Sequence, residues 1–219
     1  MIILTSLNEL IFPTRCISCG ELDLSLCGPC RKSWNLNLYR TVVSHGVDCF
    51  LPVTSSLIYS PVVQKVLLAA KESDIKKADS LVSQAITHSI KNVLKENSID
   101  CLIPIPSRKG AARKRGRQFI QEMTTPASIE IGIPIISPIS HSRAVRDQTG
   151  LHIEQRWNNL HRAFVVERGE GELRSALLVD DLVTTGATLL EAARALRYAG
   201  IKVIGAVTAA VAQPVRLRD

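Results

Sequence analysis

The chain has 219 residues, 46% apolar and 21% charged, a balance that suits one sizeable core plus a small accessory unit. Its formal net charge of +7 favours anionic partners, phosphorylated metabolites or nucleic acid, without choosing between them. No stretch is apolar for long enough to span a bilayer, and the N-terminus has neither the basic start nor the small-residue cleavage site of a signal peptide, so the expected compartment is the cytoplasm.

Ile3, Leu7, Leu10 and Ile11 share one helical face and predict a short docking helix. Two knuckles follow, Cys16-x2-Cys19 and Cys27-x2-Cys30, with seven residues between them. Four thiolates at that spacing satisfy tetrahedral Zn²⁺ as a closed, structural site. A disulfide pair and a redox CxxC are the competing chemistries; a cytoplasmic setting opposes the first, and two copies so close together fit a metal better than the second. Cys49 and Cys101 read as plain core residues. Ser33 to Asp48 reads as a linker with some local structure. The expected division is residues 1–48 as an N-terminal helix and four-cysteine zinc-knuckle module, and residues 49–219 as a second domain.

In that second domain, strands and helices alternate. A strand is expected over Leu51–Tyr59, then helices from Pro61 to about Glu72 and from Ile75 to Glu96, each with an apolar face. Cys101–Ile105 reads as a short parallel strand, Gln118 to about Ile131 as a helix, and Ile133–Ile136 as a strand broken by Pro134. His141–Gly150 is less ordered, and a helix is expected over His152–Leu160. Ala176–Val179 is the next strand, Ala187–Ala199 the next helix, and Lys202–Val211 closes the sheet, leaving Gln213–Asp219 as a tail. The order implies an α/β fold, a parallel sheet covered on both faces, with ligands beyond the carboxyl ends of its strands.

Two loops meet that rule. The first, Pro106 to Arg117, carries six cationic residues among the ten from Arg108 to Arg117. A solvated basic surface is the plain reading. The position at the ligand edge, and Gly110 and Gly116, which admit a bulky anion, favour phosphate instead. Ser107, Arg108, Lys109 and Arg117 are the candidates, with Arg143 from the later polar segment; a nucleic-acid strand is the rival ligand. The second loop opens after Ala176-Leu177-Leu178-Val179 with Asp180-Asp181, then Leu182-Val183-Thr184-Thr185-Gly186-Ala187-Thr188. It sets backbone N–H groups and small hydroxyls at a helix N-terminus, where orphan donors and the helix dipole favour an anion. Two carboxylates just before it suit sugar hydroxyls or a Mg²⁺ shared with a phosphorylated ligand. The alternative is that the acids merely cap the helix.

Leu177 to Thr188 resembles, without gaps, the phosphoribosyl pyrophosphate (PRPP) signature of type I phosphoribosyltransferases. The resemblance implies that Asp180 and Asp181 bind the ribose hydroxyls, directly or through Mg²⁺, as the catalytic pair. It implies that Thr184, Thr185, Gly186, Ala187 and Thr188 cradle the 5′-phosphate and that Val183 supplies only backbone. Knuckle cysteines, a helix from Tyr59-Pro61 to Lys71, an RGxxF-type loop after Pro104-Ile105-Pro106, an R…Q…R…N…AF segment and DDxxTTGAT occur in that order in the ComF family, which the whole chain resembles. Arg117 stands where that family commonly has Phe, and Gln118 where it has Asn.

Those proteins are phosphoribosyltransferase-like, and some take part in DNA uptake during natural competence. The resemblance therefore implies PRPP or a related phosphoribosyl ligand with Mg²⁺, structural zinc on Cys16, Cys19, Cys27 and Cys30, and partnership with single-stranded DNA and a DNA-translocating helicase. If the chain is an enzyme, the reaction is displacement of pyrophosphate at ribose C1. The competing function is a non-catalytic module that handles single-stranded nucleic acid through the knuckle and the basic loop, with Trp34 and Tyr39 as stacking candidates, although core packing is the plainer role for both.

Overall fold

The structure, a computed structural model, describes residues 15–22, 25–45, 49–73, 75–107, 110, 112–113, 116–142, 162–167 and 175–212. The elements expected at the N-terminus, at His152–Leu160 and in the tail lie outside them, as do Arg108, Lys109 and Arg143. Chain order is α1 (Gly28–Ser33), β1 (Tyr39–Ser44), β2 (Phe50–Ile58), α2 (Pro61–Glu72), α3 (Lys76–Leu94), β3 (Cys101–Pro104), α4 (Phe119–Ile131), β4 (Ile139–His141), β5 (Phe164–Val166), β6 (Ser175–Val183), α5 (Ala187–Tyr198) and β7 (Lys202–Val211).

The main sheet has the order β1-β2-β7-β6-β3. β2, β7, β6 and β3 run parallel, and β1 pairs antiparallel with β2 from Tyr39 opposite Ser55 to Ser44 opposite Phe50. Strands buried on both faces read as continuous apolar runs, and Ala176 to Val179 are fully buried. α2 begins where the Ser60 hydroxyl accepts from the Val63 N–H and Pro61 presets the first turn. Its Val63, Val66, Leu67 and Ala70 stripe packs with α3, α4 and the sheet residues Leu177, Val179 and Val207. Each large apolar side chain of that stripe contributes about 1.5–3 kcal/mol when fully buried. The other face carries α5, packed on Leu178, Val183, Ala206 and Val211.

Three features differ from the sequence reading. Tyr39–Ser44 is a strand, not a linker; Thr41 and Val43 alternate inward while Arg40 and Val42 do not, and the hairpin with β2 ties residues before 49 into the sheet. The strand expected at Ile133–Ile136 reduces to one parallel bridge between Leu102 and Ile135, because Pro134 can accept from Leu102 but offers no N–H. β6 runs past Val179 to Val183, so the two acids lie within the strand rather than after it. Among the described residues, no helix is long and apolar enough to cross a membrane.

Candidate functional site

β6 delivers both acids to the carboxyl edge of the sheet. Asp180 lies opposite Thr208 of β7, and the Ala212 N–H closes the edge on the Val183 carbonyl at 2.8 Å. The chain then turns through Thr184 and Thr185 into α5 with Gly186 as N-cap at φ +74°. A Cβ at Gly186 would sit 2.4 Å from Val43 of β1, so both the backbone conformation and the packing exclude a side chain. The cap makes no side-chain hydrogen bond; the Ala187 N–H reaches a local hydroxyl, Thr185 Oγ1, at 3.4 Å. A helix start of this kind presents donors and the positive dipole end to whatever sits over the loop. Thr184 is exposed, and Thr185 and Thr188 are half-buried around it.

The two acids differ in environment. Asp180 is half-buried, and its Oδ1 accepts from the Asp181 N–H at 2.9 Å. Burial first, and the neighbouring Asp181 charge second, hold its carboxyl well above the usual carboxylate range against the pull of Lys71. Asp181 is buried at 6% exposure, and its Oδ2 lies 2.5 Å from Lys71 Nζ as an ion pair rather than an aligned hydrogen bond. Lys71 comes from the last turn of α2, and its ammonium sits 5.8 Å from the centroid of the Phe119 ring.

Arg117 departs from the expectation. Expected on a phosphate, its guanidinium lies on Asp79 of α3 through a fork of 2.8 and 2.9 Å. It also reaches Glu122 at 3.2 Å and the Ala70 carbonyl at 2.5 Å, and stacks 5.4 Å from the Phe119 centroid. A forked pair with both side chains nearly buried is a strong, fixed contact, and it leaves Arg117 in the core layer beside α2. Lys71, Asp79 and Phe119 were not among the expected site residues. The available signal was Asp79 itself, a carboxylate on the buried stripe of α3 beside Ala78 and Val82, which requires a cation across from it.

Ser107 is half-buried two residues beyond Ile105, whose N–H bonds to the Val179 carbonyl at 2.8 Å. The basic loop therefore leaves the sheet beside the strand that carries Asp180. The structure thus gathers Asp180, Asp181, Val183 to Thr188 and Ser107 at one edge, and pairs Arg117 with Asp79.

The four knuckle cysteines also converge. Their Sγ atoms all lie within 4.8 Å of one another, and Cys19 and Cys27 approach to 3.5 Å without a disulfide. A tetrahedral Zn²⁺ with bonds of about 2.3 Å fits such a set. Gly20, at φ +82°, closes the first knuckle with its N–H on the Cys16 carbonyl at 3.0 Å. Burial pushes the Cys16 thiol up, but backbone N–H groups of Cys19, Cys27 and Ser18 outweigh it and bring the group to about 6. The module has no separate core: Cys16, Leu26, Cys27, Cys30 and Trp34 join the cluster built by α2, and Lys65 Nζ fastens it through the Ser18 carbonyl at 2.6 Å. Trp34 is thus core, Tyr39 and the half-buried Cys49 pack against the other cluster, and Cys101 is a core residue as expected. Burial, then the Asp100 charge, lifts the Cys101 thiol to about 11.

Residues 77–218 match the family model described as phosphoribosyl transferase domain. Competence protein F of Haemophilus influenzae is 32% identical over 111 residues, covering 48% of this chain and 47% of that protein, so the chain spans about half the length of the curated relative it matches. Among solved structures, adenine phosphoribosyl transferase from Trypanosoma brucei, in complex with AMP, pyrophosphate and ribose-5-phosphate, is 14% identical over 84% of this chain and 79% of that one, with a TM-score of 0.41. Orotate phosphoribosyltransferase from Aeropyrum pernix is 13% identical over 78% and 73%, with a TM-score of 0.36. The family match covers well over half of the residues: the chain belongs to the phosphoribosyl transferase domain family and, within it, is similar to competence protein F.

Proposed function

We propose that this protein binds PRPP or a related phosphoribosyl ligand with Mg²⁺ at the carboxyl edge of β6, and transfers the phosphoribosyl group. The observation that carries the reading is the glycine-capped start of α5, with no side-chain cap, directly after Asp180 and Asp181. The N–H groups and hydroxyls of Thr184, Thr185, Gly186, Ala187 and Thr188 hold the 5′-phosphate, with Val183 contributing backbone. Asp180 and Asp181 grasp the ribose hydroxyls. Ser107, Arg108, Lys109 and Arg143 take the pyrophosphate; Arg117 is removed from that set. Negative charge grows on the leaving group as the bond at C1 breaks, and fixed cations oppose it. The oxygen donors of the acidic pair suit Mg²⁺, which when bound supplies further charge neutralisation to the pyrophosphate.

Cys16, Cys19, Cys27 and Cys30 hold a structural Zn²⁺ in this reading, about one per chain by metal analysis. The name of the Haemophilus relative supports a role in competence, with single-stranded DNA and a translocating helicase as partners and the cytoplasm as the site of action. The site reading is tested by melting the protein with PRPP and Mg²⁺. The expected result is a rise in Tm that Asp180→Asn with Asp181→Asn abolishes. No rise at millimolar ligand contradicts it. Single-strand binding that falls steeply with salt and ignores those substitutions favours the nucleic-acid reading instead.

A further inference from the structure

We propose that Lys71 is the positioning residue of the acidic pair, and that Arg117, docked on Asp79, holds Lys71 in place. The ligand assigned to that pair rests on the function proposed above; the positioning rests on geometry alone. Asp181 is a buried carboxylate, and a buried charge needs a partner. Lys71 Nζ is that partner at 2.5 Å. An ammonium on a four-carbon stem is not self-orienting, so something must fix it. Two constraints do. The Phe119 ring lies under the ammonium at 5.8 Å, and the turn of α2 that carries Lys71 is tied down through the neighbouring Ala70 carbonyl.

Both constraints lead to Arg117. Its guanidinium forks onto Asp79, donates to the Ala70 carbonyl and packs on the same Phe119 ring at 5.4 Å. Arg117 and Asp79 have side chains only 10% and 12% exposed, so this pair is fixed from the protein side. The contacts run Asp79, Arg117, Phe119 with Ala70, Lys71, Asp181. They join α3 to β6 across the end of α2, and they moor the last residue of the basic loop within reach of the sheet edge. Lys71 thereby keeps Asp181 in one orientation toward the sugar, and Arg117 acts through Lys71.

The test is calorimetric titration of Mg²⁺ with PRPP into the full chain and its variants. Lys71→Met is expected to weaken binding about tenfold or more, and Lys71→Arg to restore it to within about threefold. Asp181→Asn added to Lys71→Met is expected to cause a smaller further loss than Asp181→Asn causes in the parent, because the two act as a unit. Arg117→Met is expected to weaken binding about threefold to tenfold in the parent and to have no effect in the Lys71→Met background. A merely structural Arg117 gives losses that add, and that result overturns the proposal. Lys71→Met binding like the parent, or Lys71→Arg failing as badly as Lys71→Met, also overturns it.

If Lys71→Met does not fold, Lys71→Arg and the double variant Lys71→Met with Asp181→Asn, which leaves no unpaired charge, carry the comparison. A parent chain that binds no PRPP defeats the functional reading and not this one. The positioning claim is then decided by urea unfolding, where Lys71→Met and Asp181→Asn must be non-additive, and Arg117→Met must lose part of its effect when Lys71 is absent. Additive values overturn it.

Discussion

The two loops at the carboxyl edge of the sheet use charge in opposite ways. Asp180 to Thr188 keeps its chemistry contiguous: acids, turn, glycine cap and helix start follow one another, and each group's role is set within a few residues. The basic loop from Pro106 to Arg117 carries far more charge, yet the one of its candidate phosphate-binding cations that the structure describes, Arg117, has its guanidinium forked onto Asp79. Density of charge alone did not say where the Arg117 guanidinium goes. A glycine whose φ and whose neighbour both forbid a side chain marked the constrained position better.

The largest effect that could break this comparison is at Asp79. Asp79→Ala leaves a nearly buried guanidinium without its fork and is expected to cost about 3–5 kcal/mol in urea unfolding, whereas Arg113→Ala, an exposed charge of the same loop, should fall within about 0.5 kcal/mol of the parent. Equal effects would mean that the loop is anchored elsewhere. Gly186→Ala comes next: a left-handed backbone and the approach of Val43 together should cost about 2–4 kcal/mol and abolish the ligand-induced rise in Tm. A tolerated alanine would remove the argument for a built phosphate cradle.

Asp180→Asn should act with the opposite sign. Because the Asp180 carboxyl is held up in the folded state, the native chain binds more protons than the unfolded one between the ordinary carboxylate value and the raised one, and stability falls as pH rises through that window. Replacing it should therefore raise Tm at neutral pH, with the gain fading as pH falls from the raised value toward about 4 and absent below it, while the PRPP response weakens. A destabilised Asp180→Asn at pH 7 contradicts the environment described. The smallest expected effect at the sheet edge is that of the metal. Removing the proposed Zn²⁺ with a chelator should loosen the knuckle and α2 around Lys65 but leave the fold of β6 and α5 intact, seen as hydrogen-exchange changes confined to the first region.

What the sequence made readable follows the same divide. The parallel order of β3, β6 and β7, the helices at Pro61 and Lys76, and the convergence of four thiolates all come from local periodicity or fixed spacing. β1 was missed because six residues of mixed character declare themselves only when β2 pairs with them. The extent of β6 was missed because two carboxylates look like an end, and they are tolerated in the strand only where a cation from another element meets one of them. The Arg117–Asp79 pair was not legible because the two lie 38 residues apart in sequence, and no spacing rule links them.

The most direct test of the central claim is a crystal structure of the protein soaked with PRPP and Mg²⁺. The predicted result is a 5′-phosphate within hydrogen-bond distance of the amides of Thr185 to Thr188, about 3 Å, with the ribose against Asp180 and Asp181. A phosphate bound elsewhere, or a loop that stays empty at millimolar ligand, contradicts it.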